Sequence, residues 1–198
     1  MAKVLVIRLS AIGDVAMTVP VIYSAAKANP EDSFTVLTQA FLMPLFMNRP
    51  PNVEVIGINT KGAEKGLIGL LKFISALLKF DFDVILDLHN VIRTIIICTF
   101  FRLNGKRVFV LDKARKERKR LTAIKGKRLY PLRPVIVRYA DVFRAAGLNY
   151  TETFTSLYEE FPAELSGMAS VAGIKKGKWI GVAPFALSLI HISEPTRL

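Results

Sequence analysis

Cysteine is almost missing from this chain. The single thiol, Cys98, sits in the apolar run Ile95-Ile96-Ile97-Cys98, which excludes an internal disulfide framework and suits a reducing compartment. In that setting it reads as a buried core thiol rather than a nucleophile. A secretory leader is missing as well: Met1-Ala2-Lys3 runs straight into Val4-Leu5-Val6-Ile7, without a basic start, an apolar stretch and a small-residue cleavage site, so no export is predicted. Long apolar runs are lacking too. The stretches 67–78 and 91–101 are interrupted by Lys72 and Arg93 or fall short of the roughly 20 residues a bilayer span needs, so neither should be transmembrane.

Acidic residues are few, 16 against 28 Lys and Arg, and the shortage is local. Between Arg102 and Arg138 stand 14 basic residues with only Asp112 and Glu117, leaving 14 of each sign elsewhere, so one segment carries the whole net charge of +12. Such a patch concentrates and orients an anionic partner, whether phosphate, carboxylate, lipid head group or nucleic acid; the alternative is a solvated basic loop, although a bare solvated face usually mixes signs. A nucleic-acid module is disfavoured, because the segment's aromatics are only Phe109 and Tyr130 and no helix-turn-helix or zinc spacing is present. A dinucleotide binder is disfavoured by the missing Gly-x-Gly-x-x-Gly: Gly13 stands alone after the first strand, and the second ends Leu37-Thr38-Gln39 with no acid.

What is present is an alternation of strand and helix patterns in a chain of 198 residues that is 52% hydrophobic, enough for one good core. Strands are expected at residues 3–9, 34–38, 53–58, 84–88 and 107–111. Helices are expected from the Ser10–Asp14 loop to about Ala28, at 41–47 before Asn48-Arg49-Pro50-Pro51, at 67–80, at 91–101 and at 135–146 before Gly147. A further helix at 163–172 and a fresh strand at 178–183 follow. This spacing predicts a doubly wound, Rossmann-like α/β fold with a parallel sheet covered on both faces. Ligands in such sheets bind at the carboxyl ends of the strands, which here are Ser10 to Asp14 and His89 to Arg93.

The first of these loops, Arg8-Leu9-Ser10-Ala11-Ile12-Gly13-Asp14, offers a sharp backbone turn at Gly13 and a carboxylate at a helix amino terminus, where the helix dipole favours an anion. Asp14 can then accept a proton from an attacking hydroxyl; the competing reading is a helix cap and nothing more.

The string VLVIRLSAIGDVAMTVPVI resembles the opening of the lipopolysaccharide heptosyltransferases, glycosyltransferase family 9. FDFDVILDLHNVIRT resembles the family's later strand end, and KARKERKRLTAIKGKRLYPLRPVIVRYADVF its basic stretch before an Arg-Tyr-Ala helix. The resemblance covers residues 3 to about 186. It implies the amino-terminal, acceptor-binding half of a two-domain GT-B transferase. It also implies Asp14 as catalytic base, Ser10 and Gly13 in the substrate loop, Thr18 and Pro20 in the step after it, and Asp87, His89, Asn90 and Arg93 on the same rim. His89 would meet acceptor hydroxyls, and Arg115, Arg118, Lys119, Arg120 and Arg128 the phosphates and acidic sugars of an anionic glycolipid acceptor.

The family's reaction transfers a heptose from an ADP-sugar with inversion, without covalent intermediate, obligatory metal or other cofactor. The resemblance, which implies the anionic lipopolysaccharide core as acceptor, joins the basic, apolar-rich surface in pointing to a cytoplasmic protein that is peripheral at the inner membrane; no nucleic-acid partner is expected, and the protein is expected to be a monomer. The resemblance divides the chain into an acceptor domain at 1–160, a linker at 161–177 and the first strand of a nucleotide-sugar domain at 178–186. The tail 187–198 resembles translated sequencing-adapter read-through, which removes His191 from the candidate ligands. On this reading the chain stops before its donor domain and is inactive by itself, since the donor cannot be positioned.

Overall fold

The computed structural model describes residues 1–62, 64–124 and 129–157. Arg128, the expected linker at 161–177, the helix at 163–172, the strand at 178–186 and the tail at 187–198 lie outside the described residues.

Five short runs of β-branched and aliphatic residues form one parallel sheet: β1 Lys3–Ile7, β2 Ser33–Gln39, β3 Val53–Ile58, β4 Val84–Asp87 and β5 Arg107–Val110, in the order β3-β2-β1-β4-β5. The central strand explains the unbroken apolar run at its start. Val4, Leu5, Val6 and Ile7 are all fully buried, because helices cover both faces. Ile7 aligns with Leu37 of β2 on one side and with Asp87 of β4 on the other.

Alternation along β1 divides the interior. Val4 and Val6 share a core with Val21 and Ile22 of α2 (Val19–Ala28) and with Tyr139 and Phe143 of α6 (Val135–Ala145). Leu5 and Ile7 pack on the other side against Leu70, Ile74 and Leu77 of α3 (Gly66–Leu78) and Ile97, Cys98 and Phe101 of α4 (Ile92–Leu103). Each such side chain is worth about 1.5–3 kcal/mol of burial. Cys98 is the core thiol that its surroundings predict, and burial pushes its pKa up to about 12.

Several expected elements take a different form. The helix after β1 is two pieces, α1 Ile12–Ala16 and α2, because Pro20 in the first turn of α2 has no N–H to continue α1 and its ring would strike the carbonyl of residue 16. The segment around Phe41 is a 3-10 helix, Ala40–Leu45, interrupted by Pro44. The basic stretch contains a short helix, α5 Arg115–Leu121. Gly13 makes no sharp turn: it lies inside α1 and is not among the positive-φ residues. Gly147, by contrast, takes φ 83° and stops α6, a conformation that costs glycine little.

The sheet order reverses beside β1, since β2 follows it to one side and β4 lies on the other. A crevice therefore opens where the carboxyl ends of β1 and β4 diverge.

Candidate active site

Immediately after β1 the chain places a charge in the interior. Arg8 is 7% exposed. Its Nη1 donates to the carbonyl of Leu88 at 2.7 Å, its Nη2 to the Asp14 carboxylate, and its guanidinium lies 5.9 Å from the ring centre of Tyr139. Asp14 is the third residue of α1, past the cap position, which Ala11 holds without any side-chain hydrogen bond. It is not a cap. Its carboxylate is instead ion-paired to a buried arginine, and its side chain keeps 41% of its surface open to the crevice.

The second wall comes from β4. Asp87 is wholly buried; one oxygen accepts the backbone N–H groups of His89 and Asn90 at 2.9 and 2.8 Å, and the other accepts the Thr94 hydroxyl at 2.8 Å. This fixes the turn, with Asn90 at φ 51°, and delivers the His89 imidazole to the first loop, where Nε2 lies 3.4 Å from the Ser10 hydroxyl oxygen. Asp87 therefore shapes the rim from beneath rather than lining it.

Arg8, Ser10, Asp14 and His89 meet Leu111, Lys113, Arg118, Arg138 and Tyr139 around a cavity of about 280 Å³. Four cations surround one carboxylate. Burial, then Arg8 and Lys113, pulls the His89 pKa down to about 4, so the imidazole is neutral at physiological pH. Burial and the neighbouring Arg115 likewise lower the Lys113 pKa, and burial raises that of Tyr139. Buried Arg8 Nε, His89 Nδ1, Arg138 Nε and the Tyr139 hydroxyl have no protein partner among the described residues, although all four side chains border this cavity. A cluster of unsatisfied polar atoms around one hollow suits a polar ligand.

Of the residues singled out in the sequence, Ser10, Asp14, His89 and Arg118 come together here. Asn90 donates to the carbonyl of Leu111 at 3.1 Å and borders a neighbouring hollow of about 460 Å³ with Lys113, Arg115 and Lys116. Gly13 is exposed on α1, with open space where a Cβ would stand. Thr18 is fully buried, its hydroxyl donating to Val15 at 2.6 Å, and so closes α1 rather than meeting substrate. Arg93 leaves the cavity to donate to the Glu64 carbonyl at 3.2 Å. Lys119 and Arg120 are exposed on α5, outside the cavity lining.

Arg8, Lys113, Arg138 and Tyr139 were not foreseen. Arg8 alone carries a local signal, as the one charge within VLVIRLSAI. Among the described residues no three His, Cys, Asp or Glu side chains gather as a metal-binding group, and no helix is long and apolar enough to cross a membrane.

Some known proteins share this fold. No family model matches the chain, and no curated protein sequence does. Among solved structures it is similar to a glycosyl transferase family 9 protein from Veillonella parvula DSM 2008, with a TM-score of 0.61 and 20% identity over 88% of this chain and 51% of that one. It is also similar to E. coli heptosyltransferase WaaC with ADP, at 0.52 and 22% identity over 78% of this chain and 49% of that one. The same enzyme with ADP-2-deoxy-2-fluoro heptose aligns at 0.52 and 21% identity, covering 78% and 50%. The chain spans about half the length of these proteins. The parallel α/β sheet thus resembles a Rossmann-like fold and is consistent with the amino-terminal half of a GT-B glycosyltransferase.

Proposed function

We propose that this chain is the acceptor-binding half of an inverting sugar transferase, moving a heptose or related sugar from an ADP-sugar to a hydroxyl of the lipopolysaccharide inner core. The observation that carries this reading is Asp14, a single partly open carboxylate ringed by cations at the β1–β4 crevice. Arg8 occupies its Oδ2 and orients the group, leaving Oδ1 to accept the proton of the acceptor hydroxyl. As that proton moves to Asp14, the hydroxyl oxygen bonds to the anomeric carbon from the face opposite the donor, and the sugar–phosphate bond breaks with its electron pair leaving on ADP. One base suffices, unlike the carboxylate pair of a hydrolase.

Neutral His89 offers Nδ1 to a second hydroxyl, while Arg118, Arg138 and Lys113 suit phosphates or carboxylates, which arginine grips with paired hydrogen bonds. The neighbouring hollow extends that cationic wall through Arg115 and Lys116. Such an enzyme would work in the cytoplasm, beside the inner membrane that displays its acceptor.

The test is heptose transfer from ADP-heptose to an acidic inner-core glycolipid, followed by mass spectrometry, in a chain that also carries a donor-binding half. Asp14→Asn should lower kcat by about 100-fold or more while acceptor binding persists. Undiminished turnover in Asp14→Asn would remove Asp14 from the chemistry and the reading with it.

A further inference from the structure

α3 is the most apolar of the four longer helices among the described residues, yet only one of its faces is used. Leu70, Ile74 and Leu77 enter the core, while Leu67 and Ile68 in its first turn stay 60% and 74% exposed, and Leu71 follows them on the surface. The neighbouring helix repeats the pattern: Ile92, its first residue, is 80% exposed, and Ile95 lies one turn on. The two amino-terminal ends are tied together, because Arg93 of α4 donates to the Glu64 carbonyl just before α3. Since both helices follow parallel strands, both begin at the carboxyl edge of the sheet, the edge on which the Asp14 cavity opens.

Charge around these five aliphatic side chains is mostly positive. Lys61, Lys65 and Lys72 are exposed beside them, and the acid between, Glu64, spends its carboxylate on the backbone N–H of Asn59 at 2.8 Å. Bulky aliphatic groups rimmed by three lysines against a single carboxylate match an anionic bilayer surface, where the apolar groups enter the head-group boundary and the ammonium groups meet lipid phosphates. Protein–protein interfaces, by contrast, are depleted in lysine.

We propose that the amino-terminal ends of α3 and α4 form a membrane-contact face, with Leu67, Ile68 and Ile92 inserted into an anionic lipid surface. The face rests on the transferase reading only for its purpose: it sets the Asp14 cavity at the height of a lipid-anchored head group. The exposed basic helix α5 is then left for the acceptor's charges rather than for the bilayer.

The test is flotation of the protein with vesicles of phosphatidylcholine and phosphatidylglycerol, against vesicles of phosphatidylcholine alone, with no sugar nucleotide present. The wild type should float with the anionic vesicles only. The double variant Leu67→Ser, Ile68→Ser should bind them at least about tenfold more weakly, since two aliphatic side chains lose their burial. Lys119→Glu with Arg120→Glu on α5 should still float. Unchanged melting by circular dichroism shows that the exposed substitutions leave the fold intact.

Equal flotation of the Leu67/Ile68 variant and the wild type overturns the proposal. Binding lost only on charge reversal of α5 overturns it in favour of α5. A concentration-dependent dimer abolished by the same serines, with no vesicle binding, overturns it in favour of a second copy. Transfer to a delipidated acceptor, in the chain that also carries a donor-binding half, separates this result from the reading of the active site: the serines should leave it unchanged, whereas Asp14→Asn should lower it by about 100-fold or more and still float.

Discussion

Asp87 and Thr94 share a hydrogen bond of 2.8 Å between a fully buried carboxylate and a fully buried hydroxyl, fastening the end of β4 to the first turn of α4. The other oxygen of Asp87 holds the N–H groups of His89 and Asn90, so one side chain determines where the whole second rim lies. Asp87→Ala leaves the N–H groups of His89 and Asn90 without their acceptor, while the Thr94 hydroxyl keeps only the Val91 carbonyl at 3.0 Å. A loss of about 3 kcal/mol in urea unfolding is expected. Thr94→Val, which removes one donor to Asp87 and the acceptor of the Val91 N–H, should cost about 1–2 kcal/mol.

Tyr139 calls for the opposite outcome. Its buried hydroxyl has no protein partner among the described residues, so Tyr139→Phe removes an unsatisfied group without opening a cavity. Thermal unfolding should be unchanged or raised by up to about 1 kcal/mol, while affinity for a polyhydroxylated anionic acceptor falls by roughly tenfold. Calorimetric titration of wild type and variant with the delipidated acceptor checks the second half; equal affinity would mean that the hydroxyl does not meet ligand.

His89 gives a pH signature. Its pKa is pulled down to about 4, against 6.5 for an unhindered imidazole, so between these values the unfolded chain holds a proton that the folded chain does not. Its contribution is therefore fully present above about pH 6.5 and is lost progressively as pH falls toward about 4. Urea unfolding at several pH values across this window should show wild-type stability falling more steeply on acidification than that of His89→Gln. The imidazole resonances of His89 should stay in their neutral positions until the pH nears about 4.

Gly57 in β3 is a steric requirement. A Cβ built there would stand 2.6 Å from the Met43 sulfur and 2.8 Å from the Ala40 Cα, and the backbone atom cannot swing away as a thioether can. Gly57→Ala should cost about 1–3 kcal/mol, and Met43→Ala in the same chain should recover only part of that. Chemical denaturation of the two variants and the double mutant measures both.

Much of the sheet was legible in the sequence because its signal is local. A buried parallel strand must be apolar on both faces, and Val4-Leu5-Val6-Ile7 and Val84-Ile85-Leu86 are so almost without interruption. The helix α5 was not legible, because it buries no residue and thus has no apolar period to read. The burial of Thr18 was not legible for a related reason: a hydroxyl next to a motif carries no mark of whether it faces the crevice or the helix that it closes. The site itself was half legible. Asp14 and His89 stand at strand ends, where topology directs attention, but Arg138 and Tyr139 arrive on a helix from more than a hundred residues away, and only folding brings them beside Arg8. The resemblance of the opening string to a transferase family foresaw a parallel fold of this kind, which the alignments with solved structures bear out.

The position of β1 at the middle of the sheet has a consequence for synthesis on the ribosome. The first strand to emerge needs a partner on each side, and one of them, β4, pairs Val84 with Val4 only after some eighty more residues have been translated. Until then one edge of β1, together with Leu5 and Ile7, has no finished neighbour. Nascent chains released before Asp87 should carry that open edge into solution and aggregate, so the interval between translating residue 7 and residue 87 is when a chaperone would matter most to this protein.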